Sequence, residues 1–267
     1  MSFKHKKKYG QNFLTDQNSV LEKIMEVSKI EPHEEILEIL EIGPGEGALT
    51  ELLLEKAKKV ICVEIDTDLE KILRKKFAGN EKFNLIMEDI LKVDLDKILA
   101  PHTRVVANIP YYITSPIINK LIEHRDKVDE AYLMVQKEVG ERVCALSGKE
   151  RSVLTLAVEY YGIGEYLFTI PKEFFNPVPK IDSGFISIKF YNDRRYEKLI
   201  PENIFFKYVK AAFSNKRKNI ANNLSTLGIS KDEVKKKLEI LGISPNERAE
   251  NLKIEQFIKL AECFEEN

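Results

Sequence analysis

The sequence predicts an α/β protein, a doubly wound and largely parallel sheet followed by a small all-helical domain. Three observations carry that reading. Short apolar runs alternate with helix-spaced patterns from residue 36 to residue 135, the order in which parallel strands and crossover helices follow one another. A glycine-rich segment, Gly43-Pro44-Gly45-Glu46-Gly47, separates the first such run from the first helical pattern. From Asn192 onward the apolar spacing is helical and the composition turns strongly charged.

Residues 36–42 read as a strand in which Leu37-Glu38-Ile39 is repeated by Leu40-Glu41-Ile42. A period of three does not match strand alternation, so the first copy is expected outside the regular ladder. Residues 48–57 read as a helix, 60–63 as a strand, 68–77 as a helix and 83–87 as a strand. Strands follow at 104–107 and 131–135, with a helix at 116–123 between them. After a helical stretch near 152–161, residues 166–170 and 185–190 are strand-like and flank Pro177-Val178-Pro179. Two strands joined in this way imply an antiparallel end to the sheet. Asn192-Asp193-Arg194-Arg195 reads as a linker, and helical spacing recurs at 204–213, 220–227, 234–241 and 254–264. The expected domains are therefore 1–191 and 192–267.

Apolar residues make up 43% of the 267-residue chain and charged residues 32%, ample material for a core in a water-soluble protein. The net charge of −1 excludes a polycation, so any nucleic-acid surface must be local. Cys62, Cys144 and Cys263 stand far apart, without a CxxC pair, and the four histidines are equally scattered. That pattern speaks against disulfides and a metal site and fits a reducing compartment. No span approaches membrane length, and the basic N-terminus lacks the apolar stretch of a signal peptide. A cytoplasmic protein is expected.

Gly43 and Gly45 allow a tight turn and close approach of backbone to a ligand. The spacing is G-x-G-x-G, not the G-x-G-x-x-G of dinucleotide binders. Glu64 ends the second strand, 21 positions after Gly43, where a carboxylate can accept both ribose hydroxyls of an adenosine. Asp89 ends the third strand and can accept from an adenine amine. These residues point to an adenosine-containing cofactor across the strand ends. Glu88 reads as a solvated loop carboxylate.

At the end of the fourth strand stand Asn108-Ile109-Pro110-Tyr111. An Asn, a Pro-fixed backbone and an aromatic ring can hold a flat, amine-bearing group for alkylation. The glycine loop, the acidic second strand end and this corner resemble S-adenosylmethionine-dependent amino-methyltransferases. Tyr9-Gly10-Gln11-Asn12-Phe13-Leu14, Asn108 through Pro116, Val135-Gln136-Lys137-Glu138-Val139, residues 175–183 and Ala212 through Lys218 narrow the resemblance. Spread in order over nearly the whole chain, they are similar to motifs of the ribosomal RNA adenine dimethyltransferases, the KsgA/Erm family. The small-subunit KsgA branch is the nearer, through the 175–183 block and the C-terminal basic segment.

That resemblance implies a Rossmann-like methyltransferase sheet, S-adenosylmethionine as cofactor, and transfer of methyl groups to adenine N6 of ribosomal RNA, twice per base. It implies that Asn12 and Leu14 cover the cofactor, although the same segment also reads as a turn leading into a helix capped by Asp16. Asn108 then serves both cofactor and acceptor. Its side-chain carbonyl and the Ile109 backbone carbonyl can each accept one N6 proton, aiming the nitrogen lone pair at the methyl group. Pro110 fixes the direction of the Ile109 carbonyl. Tyr111 offers a stacking face and Phe175 a second one, with Phe174 as the alternative. The family often has Asn where Tyr112 stands, a departure that leaves the Asn108-x-Pro110-Tyr111 pattern intact.

Lys6-Lys7-Lys8 and Lys216-Arg217-Lys218 are the main basic clusters, with Lys207 and Lys210 ahead of the second. Lys216, Arg217 and Lys218 are expected to contact RNA phosphates, with Asn215, Asn219, Asn222 and Asn223 as neutral donors nearby. Lys235-Lys236-Lys237, flanked by Asp232, Glu233 and Glu239, reads as a solvated face. The expected partner is ribosomal RNA in a small-subunit assembly particle, bound by a monomer. The competing readings are a non-catalytic RNA-binding assembly factor, an Erm-type large-subunit enzyme, and an amino-methyltransferase acting on DNA or protein glutamine.

Overall fold

The computed structural model describes residues 13–14, 17–28 and 38–266. Asn12, Asp16, Leu37 and the Lys6-Lys7-Lys8 cluster lie outside the described residues. The strands are β1 (Phe13–Leu14), β2 (Glu38–Ile42), β3 (Lys59–Glu64), β4 (Phe83–Met87), β5 (Thr103–Asn108), β6 (Val128–Gln136), β7 (Gly162–Ile170), β8 (Phe175–Asn176) and β9 (Ser183–Phe190). The helices are α1 (Gln17–Val27), α2 (Ala48–Lys56), α3 (Thr67–Lys76), α4 (Leu95–Ile98), α5 (Thr114–Glu123), α6 (Lys137–Val143), α7 (Val153–Tyr161), α8 (Glu202–Ala212), α9 (Ile220–Leu224), α10 (Lys231–Ile240) and α11 (Ile254–Glu265).

Seven strands form one sheet in the order β4-β3-β2-β5-β6-β9-β7. The pairings from β4 through β6 are parallel, whereas β9 runs antiparallel to β6. Parallel strands with crossover helices are buried on both faces. Val60, Cys62 and Val106 accordingly lie in the core cluster on one side, while Ile61, Val63, Val105 and Ala107, of opposite parity, are also buried. β1 and β8 form a separate antiparallel pair that sets Leu14 opposite Phe175.

Several strands outrun the apolar runs that mark them. β6 starts at Val128 because Glu130 has polar company, Lys189 at 2.8 Å and Arg104 at 3.4 Å. The expected displacement of the first triplet at residue 37 is corrected. Glu38 and Ile39 pair in register with Lys59 and Val60. Glu38 is held by Lys59 Nζ at 2.7 Å and accepts from the Ala100 backbone N–H at 2.8 Å, so a polar residue satisfies the start of the ladder.

Two units are distinguished, Met1–Gly140 with Glu165–Phe190, and Glu141–Gly164 with Tyr191–Asn267. The second unit thus includes α7 from mid-sequence as well as the C-terminal helices. Within it Tyr160 is buried, stacks on Phe205 with centroids 4.5 Å apart and donates to the Ile200 carbonyl at 2.6 Å. The fully buried Arg151 forms a two-pronged pair with Glu159 and donates to the Ala145 and Leu146 carbonyls. α8 and α11 meet through Phe213 on Phe257 and through Tyr208, which donates to Glu265 at 2.8 Å.

Candidate functional site

In the sheet unit the strand order reverses between β2 and β5, and the crevice outside the carboxyl ends of such strands is where α/β sheets bind ligands. A cleft of about 370 Å³ opens there. Gly43, directly after β2, has φ +69° and donates its N–H to the Val63 carbonyl at 2.9 Å. A Cβ on Gly43 would stand 3.7 Å from the Asn108 carbonyl oxygen. The glycine loop and the Asn108 corner are therefore backbone neighbours. Gly47, φ +78°, leads into α2, and a Cβ there would meet the Phe77 ring at 2.7 Å.

Glu64 ends β3 and is 5% exposed. Its carboxylate accepts from the Asp66 N–H at 2.8 Å and the Gly45 N–H at 3.4 Å. Burial raises its pKa, and those backbone donors pull it partly back. Asp89 lies two residues beyond the end of β4, not on the strand as expected, and its side chain accepts from the Leu91 N–H at 3.0 Å. Both acids line the cleft with Leu14, Gly43 and Gly45. Glu88, though exposed as expected, also borders it. Ile65 and Leu91, 38% and 37% exposed, present apolar surface beside the two carboxylates. Sequence reasoning missed both; the signal is an apolar residue within two positions of a strand-end acid.

Glu41 lies beneath the glycine loop, also without a role assigned from sequence. Only 2% exposed, it accepts from Thr50 Oγ1 at 2.6 Å and from Cys62 Sγ at 3.5 Å. Burial pushes its pKa up to about 7, against the pull of the Thr50 and Cys62 hydrogen bonds. A carboxyl that binds its proton more tightly when folded stabilises the fold at low pH, and that stability is lost as pH rises through the folded value. Glu41→Gln removes the titration. Urea unfolding should show the variant gaining about 3 kcal/mol on the parent between pH 4.5 and pH 8, with no further gain above.

Asn108 is the last residue of β5, half-buried and on the cleft wall. The buried Ile109 donates its N–H to the Met134 carbonyl at 3.3 Å. Pro110, at φ −60° and ψ 128°, starts a single tight turn, Tyr111–Ile113. Thr114 Oγ1 donates to the Tyr111 carbonyl at 3.1 Å, and Tyr111 Oη is hydrogen-bonded to Ser183 Oγ at 2.5 Å. Burial raises the Tyr111 pKa, so the phenol keeps its proton at neutral pH. Tyr112, also on the cleft, is 59% exposed. All four residues of the corner line the cleft with Gly43, Gly45, Glu64 and Asp89.

Phe175 is placed elsewhere. Its ring is 1% exposed, belongs to the core cluster with Ile170 and Phe185, and is not among the cleft residues. The structure thus does not bring the expected second stacking ring to the cleft: Phe175 stands opposite Leu14 in the β1–β8 pair and packs in the core, where burial of an aromatic side chain is strongly favourable. Phe174 packs against the same cluster and does not line the cleft either.

In the helical unit Lys216, Arg217 and Lys218 are exposed on the turn between α8 and α9. Three of the neighbouring asparagines shape that turn. Asn215 Oδ1 accepts from the Arg217 N–H, Asn219 caps α9, and the buried Asn223 donates to the Ala212 and Asn215 carbonyls. Lys207 is paired with Glu265 at 2.6 Å. Lys237 donates to the Cys263 and Glu266 carbonyls at the end of α11. Among the described residues no His, Cys, Asp and Glu cluster could hold a metal ion, and no helix is long and apolar enough to cross a membrane.

The profile of the ribosomal RNA adenine dimethylase family matches residues 2–266. The chain is 66% identical to ribosomal RNA small subunit methyltransferase A of Fusobacterium nucleatum over 99% of both chains. It is 43% identical to the protein of the same name from Caldanaerobacter subterraneus, covering 98% of this chain and 97% of that one. Among solved structures it resembles a dimethyladenosine transferase from Plasmodium falciparum (TM-score 0.76, 30% identity, 93% of this chain and 96% of that one). It also resembles the 23S rRNA methyltransferase ErmE (TM-score 0.74, 27% identity, 94% and 99%).

Proposed function

Because this chain belongs to the ribosomal RNA adenine dimethylase family, we propose that it methylates adenine N6 in small-subunit ribosomal RNA with S-adenosylmethionine, twice on each of two adjacent adenosines. The observation that carries this reading is the Gly43 loop lying against Asn108 at the sheet's reversal point, with Tyr111 on the same cleft.

The donor set fits the cofactor. Glu64 offers a buried carboxylate for ribose hydroxyls, Asp89 an acceptor for the adenine amine, and Ile65 and Leu91 apolar surface for its ring. The glycine loop lets backbone approach without a side chain. When bound, S-adenosylmethionine supplies an electrophilic methyl group on a sulfonium.

Adenine N6 is a poor nucleophile because its lone pair is delocalised into the ring. The Asn108 side-chain carbonyl and the Ile109 carbonyl accept its two protons, which favours a pyramidal nitrogen in the transition state. Tyr111 supplies the face against which the base is stacked. Held this way beside bound cofactor, the nitrogen would take the methyl group as the sulfur leaves with the bonding pair, and the cationic amine would then release a proton to water. No strong base is required.

Asn12 and Leu14 complete the cover of the cofactor in this reading. The substrate is an assembling small-subunit particle in the cytoplasm, met by a monomer. Incubation of unmodified small-subunit RNA or particles with protein and isotope-labelled cofactor should yield dimethyladenosine by mass spectrometry. Binding without any methylated adenine would favour the assembly-factor reading instead.

Lys216, Arg217 and Lys218 contact RNA phosphates in this proposal. Replacing all three by Ala should weaken RNA binding and reduce the slope of log affinity against log salt by about 2–3. Filter binding between low and moderate salt measures both. An unchanged slope would exclude phosphate contact by this turn.

A further inference from the structure

We propose that Ser183 is a positioning residue for methyl transfer: through its hydroxyl it holds the Tyr111 ring and so fixes the wall against which the target base stacks. The inference rests on the reading of Tyr111 as that wall.

The two residues are 72 positions apart in sequence. They meet because β9 runs against β6. An antiparallel strand at the end of a parallel run begins where its neighbours finish. Its first residue, Ser183, is thereby set opposite Gln136, the last residue of β6, at the same edge of the sheet as Asn108. Had β9 run parallel, this edge would have received its other end.

Ser183 is a firm anchor. It is fully buried, and its neighbour Asp182 is held from two directions. The Lys137 N–H donates to the Asp182 carbonyl at 3.0 Å, and the Lys172 N–H donates to its carboxylate at 3.1 Å. Tyr111, in contrast, stands on a single tight turn and is half-buried. Backbone contacts, such as that from Thr114, fix where the ring begins but not how it tilts. The staggered wells of χ1 carry the far end of the ring to different places, and the hydrogen bond at the para oxygen holds that end where it is. A buried hydroxyl also needs a partner, and the Tyr111 phenol supplies one. The bond thus couples the base-facing ring to a rigid strand, which is how a binding group is held to within a fraction of an ångström.

The test is a cycle of four full-length proteins: the parent, Ser183→Ala, Tyr111→Phe and the double variant. Steady-state methylation of small-subunit RNA is measured in each, with cofactor affinity alongside. Each single change should lower kcat/KM for RNA by about 3- to 10-fold, the worth of one net hydrogen bond. The double variant should be no lower than the worse single, and cofactor affinity should hold. Ser183→Cys, nearly isosteric and a weak hydrogen-bonding group, should behave as Ser183→Ala and carries the comparison if the alanine variant does not fold. Two results overturn the proposal: Ser183→Ala without effect in the parent, or the same loss from Ser183→Ala in the Tyr111→Phe background as in the parent. The latter is what a purely structural role for β9 would give. Tyr111→Ala separates the premise. If it methylates as well as the parent, the ring is not the base wall and the underlying reading fails on its own.

Discussion

Asn108→Ala is expected to cost about 100- to 1000-fold in kcat for methyl transfer, the usual effect of removing one preorganised polar group aimed at a reacting centre. The residue ends β5, and its backbone carbonyl oxygen lies 3.7 Å from where a Cβ on Gly43 would stand. The Ile109 carbonyl can accept one N6 proton, but without Asn108 the other loses its partner. RNA binding should persist, because the residues proposed to face phosphates are untouched. Single-turnover methylation with labelled cofactor measures the rate, and filter binding the affinity. An alanine variant within tenfold of the parent rate would remove Asn108 from the role of N6 acceptor. Loss of methylation together with retained binding would also give a means of asking whether the protein has a second, non-catalytic role on its RNA.

Glu64→Gln should weaken cofactor binding by about 100-fold or more, since hydrogen bonds to a charged acceptor are worth about 1.5–3 kcal/mol each. The reason lies in the partners already present. The Asp66 and Gly45 N–H groups both point at this carboxylate, and an amide NH₂ in place of one oxygen would set donor against donor. Calorimetric titration with S-adenosylmethionine and its demethylated product measures the effect. The raised pKa adds a pH signature. As pH falls through the folded value of Glu64, the carboxyl takes up a proton, loses acceptor capacity, and binding should weaken. The glutamine variant should show no such fall. Affinity within fivefold of the parent would exclude Glu64 as the ribose acceptor.

The alternation of strand and helix was legible because parallel strands are apolar through their length; Val60, Ile61, Cys62 and Val63 are all buried. The limits of the strands were less so. Asp129 and Glu130 belong to β6 through partners from other strands and loops, which a local pattern does not contain. The site was readable where chemistry is local: glycines after one strand, acids near the ends of two more, and the Asn108 corner after another. It was unreadable where chemistry depends on distant segments. Glu41 looks like any strand glutamate until Thr50 and Cys62 close over it. Ser183 is one hydroxyl among many until β9 brings it to Tyr111. Phe175 carries the same aromatic letter in a binding wall or a core, and its packing with Ile170 and Phe185 is not written in the local sequence.

The helical unit draws on two separate stretches of chain, Glu141–Gly164 and Tyr191–Asn267. A chimera that exchanged only the C-terminal stretch would leave Tyr160 and Tyr161 without Phe205, Phe206 and Glu202, to which they are fitted. Modularity in this chain is spatial and not linear. An exchange of the helical unit between relatives must carry the mid-sequence stretch with the tail, and natural recombination by a single crossover would face the same penalty.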